Sequence, residues 1–568
     1  MRLRLRTTAL VVAGGLAMCM VTSACAGASG AGAKTRAASA LPAADINAVP
    51  YSEVKSGGTL RLAFNNFPSQ FNVYQANGLT VASTTIMRSL MPTPFITNAQ
   101  GNPVADPAYV TSYKVTDPDK AKHIAESVTL NLNPKAVWSN GEPITAHDYV
   151  VQWQALNGTN PKFDSVGTTG YADIGSVTQG SNKYQVTYTF STPFGEWYSL
   201  FGTVYPAQYY EAPDGFDNGY LDRIPVTGGP FVVQSIDRAA ETITLARNPR
   251  FWWREAKLSS IVVDTLSETA AVQALANGEL DDYAVSDAAD YDKVKDTPGI
   301  KARIASSSTW IDLIFNAKNS VLDSQPVRQA LEMAVNRQAV IASQMKGLPV
   351  TGVEPMGNHI LLPQQQGYEN ESGEYGADDP TGAGKLLTEA GWTVGAGGYR
   401  YKDGKRMALT ITIPSGSNIG LSIVQLVQAM YKSIGVQTTI QTVNASDYYD
   451  DYYANGNYEI TLLGWANSPY PISGSYPLYE TPAGGSGSQN TGGISSSSVD
   501  ALFGQALGDA DVSQARTLAD RADALIWQEG HDLPLYVQPN IEMEKADLAN
   551  WGAFGLGQPD YTAIGYTS

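Results

Sequence analysis

A strand, helix, strand alternation in the second half of the chain limits the possible folds most. Leu386, Leu387 and Ala390 lead to Gly391, where a helix C-cap is expected. Ile423 to Ile434 reads as a second helix stopped by Gly435, and Val436 to Val443 as the strand after it. Such alternation indicates an α/β layer. Val327, Ala330, Leu331, Ala334 and Val335 share one helical face, with Arg328 and Arg337 outside it, which predicts a single amphipathic helix packed on a sheet. With 568 residues, 43% of them hydrophobic, the chain has material for several packed cores and two to four domains.

Ile460-Thr461-Leu462-Leu463, bounded by Asn455-Gly456-Asn457 and Gly464, reads as a buried strand between turns. Beyond it crowd Trp465, Asn467, Ser468 and Tyr470, on a backbone stiffened by Pro469 and Pro471. Aromatic faces with uncharged hydrogen-bonding groups suit a small-molecule or peptide pocket, and equally an ordinary turn whose Trp packs on the core. A second strand, Gly58 to Phe64, also ends in polar and aromatic residues, Asn65-Asn66-Phe67. Val128 onward alternates as a strand and leads to the tight turn Asn140-Gly141. Thr145 and Asp148 form a capping-box pair opening a helix that runs through Trp153, with His147 expected at its surface. The tyrosines of 447–458 read as a helix with some rings packed and others wet, and Gly484 to Ser498 as a long mobile loop. Leu533 to Val537 reads as a strand returning to the first domain.

The formal net charge of -17 argues against a general phosphate-binding surface for nucleic acid. Both cysteines, Cys19 and Cys25, lie near the N-terminus, so the body of the chain has no disulfide, no Cys-based metal site and no thiol nucleophile. The four histidines are far apart in sequence. Thr381 to Lys385 lacks the first glycine and the hydroxyl of a phosphate loop and reads as a helix N-terminus. Phe216 breaks an EF-hand-like opening at Asp214 to Gly219, and neither H-E-x-x-H nor G-x-S-x-G occurs. No metal or cofactor is expected.

Arg2, Arg4 and Arg6 before the apolar run Ala9 to Val21 make residues 1–24 a signal peptide. Thr22-Ser23-Ala24-Cys25 resembles the bacterial lipobox, with Thr22 where an aliphatic residue is usual, so Cys25 is the expected lipidation site. Residues 26 to about 50 are rich in Ala, Gly and Ser; 25–56 are read as the lipidated Cys and a flexible tether. The alternative is a plainly secreted protein.

Trp138-Ser139-Asn140-Gly141 through Asp148 resembles the "W-S/T-D-G-x-P-x-T-A-x-D" signature of the extracytoplasmic solute-binding proteins of ABC importers, in the branch that carries oligopeptides, dipeptides and nickel. In the same family's order follow Thr227 to Phe231 ("G-T-G-P-Y"), Arg247 to Trp252 ("R-N-P-x-Y-W"), Leu275 to Asp281 ("L-x-x-G-x-x-D"), Phe315-Asn316 with Val327 to Arg337, and Ala383 to Trp392. The resemblance implies an α/β, two-lobed periplasmic-binding-protein-like fold with an extra insertion domain, closing about a hinge. Its parts are a discontinuous lobe I (57–90, 223–306 and 535–568), an insertion domain (91–222) and lobe II (307–534).

It also implies a monomeric, lipid-anchored receptor on the extracytoplasmic face of the cell membrane. Such a receptor captures a peptide or peptide-like solute between its lobes and delivers it to the permease subunits. The expected ligand-binding residues are Asn65, Asn66, Phe67, Ser415, Trp465, Asn467, Ser468 and Tyr470. In oligopeptide-binding members the segment matching Gly464-Trp465 continues to an aspartate that pairs with the ligand's amino terminus. Here Ser468 stands at that position, which favours a blocked, modified or non-peptide ligand, or an acid supplied from elsewhere. The competing class is a secreted hydrolase of peptides or glycans working through dispersed carboxylates.

Overall fold

The computed structural model describes residues 41–118, 126–466, 468–482 and 489–568. The expected signal peptide, Cys25, most of the tether, Asn467 and part of the Gly484 to Ser498 stretch lie outside them.

Three sheets of four or more strands carry most of the described chain. In a four-stranded sheet, Thr59–Phe64 pairs in parallel with Ser260–Thr265, which is followed by Thr242–Arg247 and Phe231–Asp237. A second, wholly antiparallel sheet runs Val110–Thr116, Ser127–Leu132, Gln185–Phe190, Ile174–Gln179. Its two central strands alternate buried and half-buried positions, so Val128, Leu130 and Leu132 share a covered face with Val186, Tyr188 and Phe190. The two sheets contribute to one apolar cluster, which also takes in Leu548, Trp551, Tyr561 and Ile564 from the C-terminal segment.

The third sheet has six strands in the order Asp282–Ala284, Asp532–Lys545, Ile300–Phe315, Ile460–Ala466, Ala408–Pro414 and Gln437–Val443. Two of these strands are unusually long, 16 residues for Ile300–Phe315 and 14 for Asp532–Lys545, and they pair with each other antiparallel. Their register shifts twice, between Ser306 and Trp310 and between Ile311 and Asp312. Such bulges bend a strand pair and increase its twist. The helix Asn418–Ser433 connects the parallel strands Ala408–Pro414 and Gln437–Val443, which is the expected α/β unit, and Gly435 follows it at a positive φ of 86°. The predicted strand near Leu533 is the start of Asp532–Lys545.

Three sequence readings are corrected here. The single amphipathic helix expected over 327–337 is two, Gln325–Met333 and Arg337–Gln344, because the Asn336 side chain accepts from the Ala339 N–H and starts a new helix. Arg328 and Arg337 are buried rather than outside the packed face. Arg328 donates to the carbonyls of Leu322, Glu529 and Gly530, and Arg337 to those of Met356, Pro534 and Gly376. A guanidinium satisfies many donors at once, which lets it sit where loop carbonyls would otherwise be orphaned. The Trp465 strand also runs past its expected stop at Gly464: pairing with Ile300–Phe315 continues from Phe315↔Ile460 to Thr309↔Ala466.

The capping box at Thr145 forms as expected, with the Thr145 N–H donating to Asp148 Oδ2 at 2.8 Å. His147 is exposed, its Nε2 3.3 Å from Glu211 Oε1.

Candidate functional site

Within its strand, Trp465 is the cross-strand partner of Trp310. Its ring is half-buried, lies edge-on to Tyr453 at 5.8 Å, and packs against the clusters around Tyr448 and around Ile472. The indole Nε1 donates to Asp312 Oδ2 at 3.1 Å. Asp312 is fully buried, and burial together with the neighbouring Asp532 carboxylate holds its carboxyl well above the usual range. Asp312 therefore carries a proton more readily than a surface aspartate, and it fixes the indole in one orientation.

After Ala466 the chain turns into the helix Pro471–Tyr479, with Pro471 at its first position. Ser468 Oγ accepts from the Tyr470 N–H at 3.0 Å, so the hydroxyl shapes this turn. The helix is capped from far away in sequence. Glu196 Oε1 accepts from the Ile472 N–H at 3.1 Å, and Glu196 Oε2 from the Ser473 N–H at 2.8 Å and the Ser473 Oγ at 2.5 Å. Burial raises the Glu196 carboxyl, while these donors pull it back. Two residues on, Tyr198 meets Tyr470 ring to ring at 5.2 Å. Burial pushes the Tyr470 phenol up to about 12, with the Arg88 charge opposing the rise.

On the other side of the strand lies a cavity of about 340 Å³. Ile413, Ile419, Tyr448, Tyr449, Leu462 and Gly464 are among its lining residues. Its walls are mostly apolar, and it can accept a hydrophobic side chain without leaving a buried donor unpaired. The tyrosine stretch behaves as expected: Tyr448 and Tyr453 are buried and Tyr449 is exposed.

The other expected ligand residues are placed as follows. Ser415 is exposed after the strand Ala408–Pro414, its N–H held by the Val443 carbonyl at 2.7 Å, next to Pro414 and Ser417 of the cavity wall. Asn65 and Asn66 are exposed at the end of Thr59–Phe64, and Phe67 is half-buried with Arg238 over its ring at 5.3 Å. Ser468 and Tyr470 are thus hydrogen-bonded just after the strand that carries Trp465, and Ser415 lies beside the adjoining cavity, while Asn65, Asn66 and Phe67 follow a strand of a different sheet. Sequence reasoning missed Asp312, Glu196 and Tyr198, all distant in sequence from Trp465. No group of three metal-ligating side chains occurs among the described residues, and none of their helices is long and apolar enough to cross a membrane.

Residues 107–487 match the family model described as "Bacterial extracellular solute-binding proteins, family 5 Middle". The chain is similar to the oligopeptide-binding protein OppA of Mycobacterium tuberculosis, with 33% identity over 526 residues, covering 92% of this chain and 87% of the relative. Among solved structures it resembles a periplasmic EDTA-binding protein, EppA, with a TM-score of 0.83 at 22% identity, covering 94% of this chain and all of that one. It also resembles the oligopeptide-binding protein AppA from Bacillus subtilis in complex with a nonapeptide, with a TM-score of 0.74 at 19% identity, covering 90% and 99% of the two chains. The chain belongs to the bacterial extracellular solute-binding proteins, family 5, and is a binding protein rather than an enzyme.

Proposed function

We propose that this protein is the extracytoplasmic receptor of an ABC importer, taking up a peptide or peptide-like solute in a cleft whose wall is the Trp465 strand. The observation that carries this reading is the construction of that wall: an oriented indole, the uncharged Ser468 turn, Tyr470 and an adjoining apolar cavity. The name of the mycobacterial relative supports a peptide as the solute class. Main-chain hydrogen bonds would hold the backbone of such a ligand, and side chains would enter tolerant pockets. The lobes are proposed as 57–90 with 223–306 and 535–568, and 307–534, with 91–222 inserted. Bending where the two long strands shift register would close the cleft. Attachment through a lipid on Cys25, delivery to permease subunits and a monomeric state complete the proposal.

Native mass spectrometry of the purified protein, with identification of whatever is released on denaturation, tests the reading. A stoichiometric peptide or peptide-like solute is expected, and peptide turnover would overturn it. Calorimetry with one peptide in free and N-acetylated forms tests the Ser468 inference. Equal or better binding of the acetylated form is expected, because a hydroxyl cannot supply the charge-assisted bond an ammonium prefers.

A further inference from the structure

Residues 42–49 fall in the stretch expected to be a flexible tether, yet they are fastened along their length. The Trp465 strand covers Ile300–Phe315 only from Thr309 onward, so residues 300–306 pair with one strand alone, Asp532–Lys545. Away from that partner, Ile304 donates its N–H to Asp45 Oδ2 and Ser306 its N–H to the Pro42 carbonyl, both at 2.9 Å. Donors two residues apart share one edge of a strand, so the segment covers an edge that no neighbouring strand reaches. Asp45 Oδ1 also lies 3.6 Å from Arg303 Nη1, and Arg303 Nε donates to the buried Glu544 at 2.8 Å. That arginine joins the segment to the partner strand as well.

The same segment is seated on the C-terminal chain. Asp45 and Ile46 pair antiparallel with Ala553 and Gly552. Asn47 donates from its backbone to the Trp551 carbonyl at 3.0 Å and from its side chain to the Leu548 carbonyl at 2.8 Å. The Val49 N–H donates to Asn550 Oδ1 at 2.9 Å. The seat is close: a Cβ at Gly552 would stand 2.6 Å from the Asp45 carbonyl, and one at Gly555 would overlap the Ala43 carbonyl. Leu548 and Trp551 belong to the apolar cluster of the first two sheets, whereas Leu41 packs on the cluster of the six-stranded sheet. The segment therefore spans two cores beside the place where the long strands change register, between Ser306 and Trp310.

We propose that residues 42–49 are a brace on this bend: they lock Ile304 and Ser306 to the C-terminal chain and confine bending of the long strands to the residues after Ser306. A bulged stretch is the pliable part of a strand pair, and fixing one flank of it leaves the other flank to move. The brace goes beyond the receptor reading and acts in the same way whatever the solute is.

The test uses the full chain with spin labels. Cys19→Ser with Cys25→Ser leaves it free of thiols, since these are its two cysteines. Ala239→Cys then places one exposed label in the turn between Phe231–Asp237 and Thr242–Arg247, and Lys405→Cys a second just before Ala408–Pro414. Pulsed electron resonance reads the spread of distances between the two. Asp45→Ala with Asn47→Pro releases the brace, because it removes the carboxylate that Ile304 uses and both donors of Asn47. Hydrogen exchange at Ile304 and Ser306 is expected to rise at least about tenfold and the distance spread to widen at least about twofold, with near-ultraviolet circular dichroism unchanged. If that variant does not fold, Asp45→Ala alone is expected to give the same two changes at smaller size. A spread that stays as narrow once exchange at Ile304 and Ser306 has risen, or exchange there that does not rise, would overturn the brace and leave the receptor reading intact.

Discussion

Asp312 decides how Trp465 is presented. Replacing it with Asn keeps an acceptor for the indole N–H and removes the need for a proton beside Asp532. Asp312→Asn is expected to cost under about 1 kcal/mol, whereas Asp312→Ala removes the acceptor of the half-buried indole and leaves a cavity, costing about 2–3 kcal/mol in urea unfolding. The pH dependence has a definite sign. A carboxyl raised in the folded state contributes stability that is complete below its unfolded value, near 3.8, and is lost as pH rises toward the folded value. The Asn variant should show a shallower fall in unfolding free energy above pH 4 than wild type. Ser468→Asp provides a complementary test: it should raise the preference for a free over an acetylated peptide amino terminus by about tenfold in calorimetry. At this scale the aromatic and hydroxyl members of the candidate site could be proposed from the sequence because they are contiguous in it. Asp312 could not, since nothing in a lone Asp tells that folding will bury it.

The helix Pro471–Tyr479 is anchored by a carboxylate 276 residues away, counted from Glu196 to Ile472. Glu196→Ala leaves two backbone donors and a hydroxyl without that acceptor, and is expected to cost about 1–2 kcal/mol in thermal or urea unfolding. Glu196→Gln should fall between the variant and wild type. Local caps were readable: the Thr145–Asp148 box and the positive-φ glycines at Gly391 and Gly435 stand where the sequence placed them. The division of 327–337 into two helices escaped because the apolar stripe carries on through Ala334 and Val335, masking Asn336 as a cap. The extension of the Trp465 strand escaped because Gly464 looks like a stop, whereas its partner strand continues opposite it.

In the molecule as a whole, two long strands run through the middle of the six-stranded sheet and bend where their register shifts. Ser307 ties the irregular stretch together, donating to the Gln538 carbonyl at 2.6 Å and accepting from the Thr309 N–H at 2.9 Å. Hydrogen exchange should be faster at 306–312 and 537–538 than at 313–315, because bulged ladders open more readily than continuous ones. Periodicity alone does not reveal Ile300–Phe315 as one strand. Ala305, Ser306, Ser307, Ser308 and Thr309 are small or hydroxylated and interrupt its apolar pattern. The α/β class and the family's ordered motifs were legible; the path of the central strands was not.

The pairing of Trp310 with Trp465 gives the molecule a built-in optical reporter. One indole is fully buried at the bend and the other is half-buried at the proposed binding wall. A solute that displaces the second changes the surroundings of both, so tryptophan emission should register loading of the receptor without an added label, and Trp465→Phe should silence most of that signal.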